Sequence, residues 1–105
     1  MINDEIREMT RRFVEALHPV KVILFGSYAK DTYRDDSDYD FYIIMPDDAK
    51  MNMIEATTVA YRSLRSLRSR KAVDILMNKQ SDFDDLKNLP TMERIIQREG
   101  VLLYE

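Results

Sequence analysis

Three aspartates and one glycine–serine pair are the residues of this chain whose types and spacing could do chemistry. Asp38 and Asp40 stand one residue apart, so on an extended strand their side chains point to the same side. Asp74 sits inside the apolar run "AVDILM", residues 72–77, where an unpartnered carboxylate would be costly to bury. If the strands that carry them are neighbours, the three carboxylates converge on one patch. No balancing base lies close by in the sequence, and hard cations such as Mg²⁺ ask for that kind of ligand set. Gly26-Ser27 supplies the complementary half, at the end of an apolar run where free backbone N–H groups can face an anion. Glycine lets the backbone come close, and the Ser27 hydroxyl adds a donor. Phosphate on one side and carboxylate-held metals on the other is the layout of two-metal phosphoryl chemistry.

The stretch between these groups is acidic. From Asp31 to Asp40 five carboxylates (Asp31, Asp35, Asp36, Asp38, Asp40) face one base, Arg34, for a local charge of −4. Asp35 and Asp36 read as a solvated turn without a ligand role. Asp38 and Asp40 read as the metal-facing end of the same stretch.

Periodicity gives the elements that must hold these residues. Ile6, Met9, Phe13 and Leu17 mark one face of a helix that Asn3 can cap and Pro19 ends. "KVILF", 21–25, is a buried strand, and "SYAKD" after it reads as the first turns of a short helix. "YDFYIIM", 39–45, is a second strand with Tyr39, Phe41, Ile43 and Met45 toward the core. Residues 51–68 read as a long helix with Ile54, Tyr61 and Leu64 inward, and 72–77 as a third strand. "SDFDDLKNL" reads as a short helix started by Ser81. "TMERIIQREG" reads as a helix stopped at Gly100, and "VLLY" as a last strand. The expected class is α/β or α+β, a small mixed sheet flanked by helices, in a single domain spanning residues 1–105.

Composition bounds the rest. With 105 residues, 45% of them hydrophobic, the chain can build one core. A net charge of −3 does not suggest bulk coating of nucleic acid, and no direct nucleic-acid binding is expected. The absence of cysteine excludes disulfides, thiolate metal sites and a cysteine nucleophile. No stretch approaches the length of an apolar membrane span and the N-terminus has no signal-peptide pattern, so a soluble cytoplasmic protein is expected.

Gly26-Ser27-x-Ala29, followed by Ser37-Asp38-x-Asp40 and an apolar run, resembles the nucleotidyltransferase signature of the DNA polymerase beta superfamily. The compact length is similar to its minimal nucleotidyltransferase (MNT) branch, as is the ending "REGVLLYE". The resemblance is strong over 21–45, and Asp74 extends it as the third carboxylate. It implies a polymerase beta-like fold, with Asp38, Asp40 and Asp74 as catalytic and metal residues for two Mg²⁺ ions. It further implies Gly26 and Ser27 as the grip on the phosphates of ATP or another NTP. Asp74 would share one metal and help deprotonate an acceptor hydroxyl. Where the family has Arg-Gly after the alanine, this chain has Lys30 and Asp31. Lys30, a candidate phosphate contact, keeps the charge but not the forked donors of arginine. Asp31 would strain the turn if a positive φ is needed there.

Length leaves no room for an acceptor domain, so the acceptor surface is expected in trans, from a homo-oligomer or a second protein. For the MNT branch the resemblance implies a helical HEPN-type toxin, an antitoxin role for this chain, and AMP transfer to a tyrosine of the toxin. The competing reading is a binding module that inhibits its partner by contact, with a weak nucleotide site. Transfer to a small molecule such as an aminoglycoside is a third reading, which the missing acceptor domain disfavours. The cations of "RSLRSLRSRK", 62–71, read first as complements to a helix C-terminus, and second as a basic lip for a triphosphate or an acidic partner. His18 reads as structural, and Tyr28, Tyr33 and Tyr42 as packing rather than base-stacking residues.

Overall fold

The computed structural model describes residues 2–105. Helix α1, Asp4–Leu17, starts where the Asn3 side chain accepts the Ile6 N–H at 2.8 Å, with Asp4 and Glu5 in the first turn. It ends at His18, whose left-handed backbone (φ 50°) lets its N–H reach the Val14 carbonyl at 2.9 Å. Strand β1 (Lys21–Phe25) follows, then β2 (Tyr39–Met45), α2 (Met53–Ser63) and β3 (Val73–Lys79). The chain closes with α3 (Gln80–Leu86), α4 (Met92–Glu99) and β4 (Val101–Tyr104).

The four strands form one mixed sheet in the order β3-β2-β1-β4. β1 is antiparallel to both neighbours, whereas β2 and β3 are parallel and joined across one face by α2. The fold is a small α+β architecture with helices on both faces. On one face α1 and α2 bury Ile6, Met9, Phe13, Ala56 and Ala60 against Val22, Leu24, Phe41, Ile43 and Ile75. On the other, Phe83 of α3 and Ile96 of α4 cover Ile23, Tyr42 and Ile44. β2 is therefore buried on both sides, and Asp40 is its one residue left partly open.

Four local expectations change. Residues 26–32 form bonded turns and no helix: Lys30 N–H reaches Gly26 O (3.2 Å) and Thr32 N–H reaches Ser27 O (3.0 Å). The second bond closes around Asp31, whose φ of 60° stops the turn in the manner of a helix C-terminal cap. α2 ends at Ser63, and the residues after it continue as turns with i→i+3 bonds. Its inner face is Ala56 and Ala60, small enough for close approach, while Ile54 is 81% exposed. α3 begins at Gln80 and Ser81 is not its cap. The Ser81 N–H is instead satisfied from another segment, by the Asp47 carboxylate at 2.9 Å. None of the helices described is long and apolar enough to cross a membrane.

Candidate active site

The sheet register does what the sequence could state only conditionally. Phe25 at the end of β1 lies opposite Asp40, and Asp40 lies opposite Asp74 across the parallel β2–β3 pair. The chain leaves β1 through Gly26 at φ +74°, a conformation that disfavours any side chain. A Cβ added there would stand 2.3 Å from Asp40 Oδ2. The turn backbone and the carboxylate therefore touch at a place only glycine can occupy.

The Asp40 and Asp74 carboxyls are near enough to hydrogen-bond when one of them is protonated. Burial above all, then the charges of Asp74 and Asp38 and that bond, push the Asp40 carboxyl up to about 6. Every group that acts on it is a carboxylate; none is a base. Asp38 is exposed and lies one residue before β2, where pairing begins with the Tyr39 N–H to Ala72 O bond (3.0 Å). Asp74 is exposed too, because β3 is an edge strand and α2 covers only its other face. The Tyr61 hydroxyl on α2 fixes the backbone beside Asp74 by accepting the Ile75 N–H at 3.0 Å. Sequence periodicity had placed Tyr61 only as a core residue, and no spacing could have paired it with that N–H.

The loop between the turn and Asp38 is held by aromatic and polar contacts. Ser37 Oγ accepts the Arg34 N–H (2.7 Å), and Ser37 N–H returns to Arg34 O (3.0 Å). Lys71 Nζ donates to the Asp35 carbonyl at 2.5 Å and stands 5.6 Å from the centre of the Tyr28 ring. Tyr28 stacks on Tyr33 at 4.3 Å and meets Tyr39 edge-on at 4.7 Å. The Tyr39 hydroxyl donates to Glu5 (2.6 Å) and accepts from Asn3 (3.1 Å), tying this end of the sheet to the start of α1. Burial, then Glu5, holds that hydroxyl well above the usual phenol range. Tyr42 is buried on the opposite face, donating to Glu93 and accepting from Asn78. Tyr28 and Tyr42 are packing residues, as read, whereas Tyr33 stacks on Tyr28 but is 43% exposed.

Ser27 is half-buried at the turn. Lys30 points to α4, where its ammonium pairs with Glu99 at 3.4 Å. Between turn and helix lies a cleft of about 240 Å³ walled by Phe25, Gly26, Ala29, Met92 and Ile95, with the Lys30–Glu99 pair at its edge. The spacing of Met92, Ile95 and Glu99 marks a helix face, but only the fold shows that this face meets the glycine turn. The structure thus brings Gly26, Asp40 and Asp74 together, keeps Asp38 within electrostatic reach, and turns Lys30 aside.

Among the described residues no group of three or more His, Cys, Asp or Glu side chains is placed to hold a metal ion as it stands. The donor set still suits a hard cation: three interacting carboxylates, one carrying a raised pKa, with no base to neutralise them.

The sequence model of the family described as "Nucleotidyltransferase domain" matches residues 5–103. Among solved structures, a Sulfolobus solfataricus protein provisionally described as a nucleotidyltransferase aligns with 21% identity and a TM-score of 0.60. That alignment covers 91% of this chain and 73% of the other. A structure described as a toxin–antitoxin with AMP-PNP aligns at 16% identity and a TM-score of 0.63, over 98% of this chain and 73% of its own. BolA1 from Arabidopsis thaliana aligns at 19% identity and a TM-score of 0.56, over 77% of this chain and 98% of its own. At these identities the structural likeness establishes the fold alone. No curated protein sequence matches significantly.

Proposed function

The chain belongs to the nucleotidyltransferase domain family, and from that premise we propose that it is a Mg²⁺-dependent transferase moving AMP from ATP to a hydroxyl of a partner protein. The acceptor we propose is a tyrosine of a HEPN-type toxin, which makes this chain the antitoxin. The observation that carries the chemistry is the Asp40–Asp74 pair set against a glycine turn in which no side chain fits. The toxin–antitoxin structure with AMP-PNP supports the nucleotide and the partner by analogy.

Asp38, Asp40 and Asp74 would hold the two metal ions, which supply charge neutralisation at the α-phosphate and at the leaving group. The turn from Gly26 offers backbone N–H groups, and Ser27 a hydroxyl, to the β- and γ-phosphates. Asp74, on the exposed edge strand, faces the side from which an acceptor can enter, and its carboxylate takes the acceptor proton. The acceptor oxygen forms a bond to the α-phosphorus as the bond from that phosphorus to the bridging oxygen breaks. Pyrophosphate leaves with the electron pair, and the proton passes from Asp74 to water.

A second reading, contact inhibition without transfer, rests on Asp31. An L-residue is held at φ 60° beside the phosphate turn, and it adds a carboxylate there. Incubation with ATP, Mg²⁺ and a co-encoded helical partner, followed by intact-mass measurement of that partner, separates the two. Mass gain in whole AMP units, absent with Asp40→Asn, supports transfer. A stable complex without mass gain, with protection retained by Asp40→Asn, supports contact inhibition and defeats the transfer reading.

A further inference from the structure

Apart from Lys71, which holds the loop at Asp35, the cations at the end of α2 and after it are not used by the site described above. The segment runs Arg62-Ser63-Leu64, Arg65-Ser66-Leu67, Arg68-Ser69, then Arg70-Lys71. Its backbone is bonded at three-residue intervals: Leu64 N–H to Tyr61 O (3.1 Å), Arg65 N–H to Arg62 O (3.1 Å) and Leu67 N–H to Leu64 O (2.9 Å). Where bonding runs i→i+3, side chains three apart lie over one another. The triplet repeat matches that period as far as Leu67, which puts Arg62 and Arg65 on one side; beyond it the Ser69 N–H bonds to Leu67 O (3.1 Å), and Arg68 and Arg70 lie on irregular chain.

Leu64 and Leu67 pack against the main core. The serines bond inside the protein: Ser63 Oγ to Ala60 O (2.6 Å), Ser66 Oγ to the Arg12 guanidinium (2.8 Å) and Ser69 Oγ to Lys71 N–H (3.1 Å). The arginines remain outside. Arg62, Arg65, Arg68 and Arg70 are exposed, and among the described residues none of them is in an ion pair. Complementing the C-terminal dipole of α2 accounts for Arg62 and Arg65, but that effect fades within a turn and leaves Arg68 and Arg70 unexplained.

Beside this ridge lies a hollow of about 220 Å³ walled by Tyr61, Leu64, Leu67 and Val73, with Lys71 at its edge. Tyr61 is 43% exposed, and Tyr33 presents a second half-open ring on the loop that Lys71 grips. A run of exposed guanidiniums outside any ion pair, next to apolar and aromatic walls, is the combination that binds single-stranded nucleic acid, phosphates on the cations and a base on the apolar side. An acidic protein face would use the cations but has no need of the aromatic-walled hollow beside them. We propose that residues 61–73 bind a single-stranded RNA, with its phosphates along Arg62, Arg65, Arg68 and Arg70 and one base in the hollow. The site is local, which reconciles it with a chain whose net charge is −3. Tyr61 and Val73 adjoin Asp74 along the chain, but Val73 packs on the α1–α2 face of the sheet and Asp74 points to the other, so the proposal stands whether or not nucleotidyl transfer occurs.

Fluorescence anisotropy of a labelled single-stranded RNA oligonucleotide, titrated with the full chain in EDTA over a salt series, tests this. Four phosphate contacts predict a log–log salt slope of about −2.8, hence about 50-fold weaker binding from about 50 to about 200 mM salt. The double variant Arg65→Gln/Arg68→Gln keeps two contacts, and its loss over the same range should fall to about 7-fold. Both positions are exposed, so an unchanged melting curve verifies that the variant is folded. No saturable binding at low salt, or an unchanged slope in the variant, overturns the proposal. Displacement of RNA by poly-glutamate at equal charge also overturns it, in favour of an acidic protein partner.

Discussion

Replacing Asp40 with asparagine should stabilise the metal-free protein at neutral and higher pH. In the native state burial, Asp74 and Asp38 push the Asp40 carboxyl from 3.8 up to about 6. The folded protein therefore holds a proton that the unfolded chain has released, and stability falls as pH rises between those two values, then levels off. The ceiling on this penalty is roughly 2 units at about 1.4 kcal/mol each, or about 3 kcal/mol. Asp40 keeps one side open to water, and screening there reduces the net to about 1 kcal/mol. Asparagine removes the charge and can still donate a hydrogen bond to Asp74. Urea unfolding in EDTA should show the variant about 1 kcal/mol more stable at about pH 8, with the difference nearly gone near pH 4. In thermal melts that is a rise of about 4–8 °C. A variant equal to or weaker than the parent at about pH 8 would refute the reasoning. So would an advantage that persists undiminished into acid, because it could not come from this ionisation.

Four further outcomes follow from the same geometry. Gly26→Ala should lower stability by about 1–2 kcal/mol for the left-handed backbone alone. It should also abolish transfer, since its Cβ would stand 2.3 Å from Asp40 Oδ2; melting and the mass assay read the two effects. Gly100→Ala has no backbone penalty at φ −71°, but its Cβ would meet Ile23 Cγ2 at 2.5 Å and Ile96 O at 2.6 Å. A loss of about 2–3 kcal/mol in urea titration is expected as α4 is forced off the sheet. Tyr39→Phe removes the hydroxyl shared by Glu5 and Asn3 and should cost about 1–2 kcal/mol, read by the same titration. Asp31→Gly relieves a positive φ at the price of a freer unfolded chain, and a net gain of about 0.5 kcal/mol is expected by thermal melting.

The features legible in the sequence were those fixed by alternation and by backbone chirality. A period of two put Asp40 on the face opposite Phe41 and Ile43, and the same period put Asp74 opposite Ile75; strand pairing then had only to set the register. The resemblance, which puts glycine where this chain has Asp31, raised a positive φ there as a condition, and the structure has it. What depends on a distant segment was not legible. Ser81 looked like a cap because its own neighbours suit one, yet Asp47 satisfies its N–H from 34 residues away. Ile54 looked like a core residue by hydropathy, but the close passage of α2 selects alanines and turns the larger side chain outward. The second core, around Tyr42 and Phe83, was hidden for a related reason. β2 is buried on both faces, so past Asp40 its residues show no polar alternation to reveal what covers the far side.

That double burial bears on the site itself. A carboxylate placed in the middle of β2 would be sealed between the two helix layers and would stay neutral. One placed before the strand, as Asp38 is, remains in solvent. Asp40 occupies the single residue position between these limits, where the helices no longer cover the strand and Gly26 leaves no side chain above it. The carboxylate is desolvated enough to favour a cation and open enough to admit one. Shifting the register of β2 by one residue would bring Tyr39 or Phe41 to that position and remove the site without altering the architecture. The chemistry therefore depends on where the apolar cover ends, and Gly26 is the residue that sets that edge.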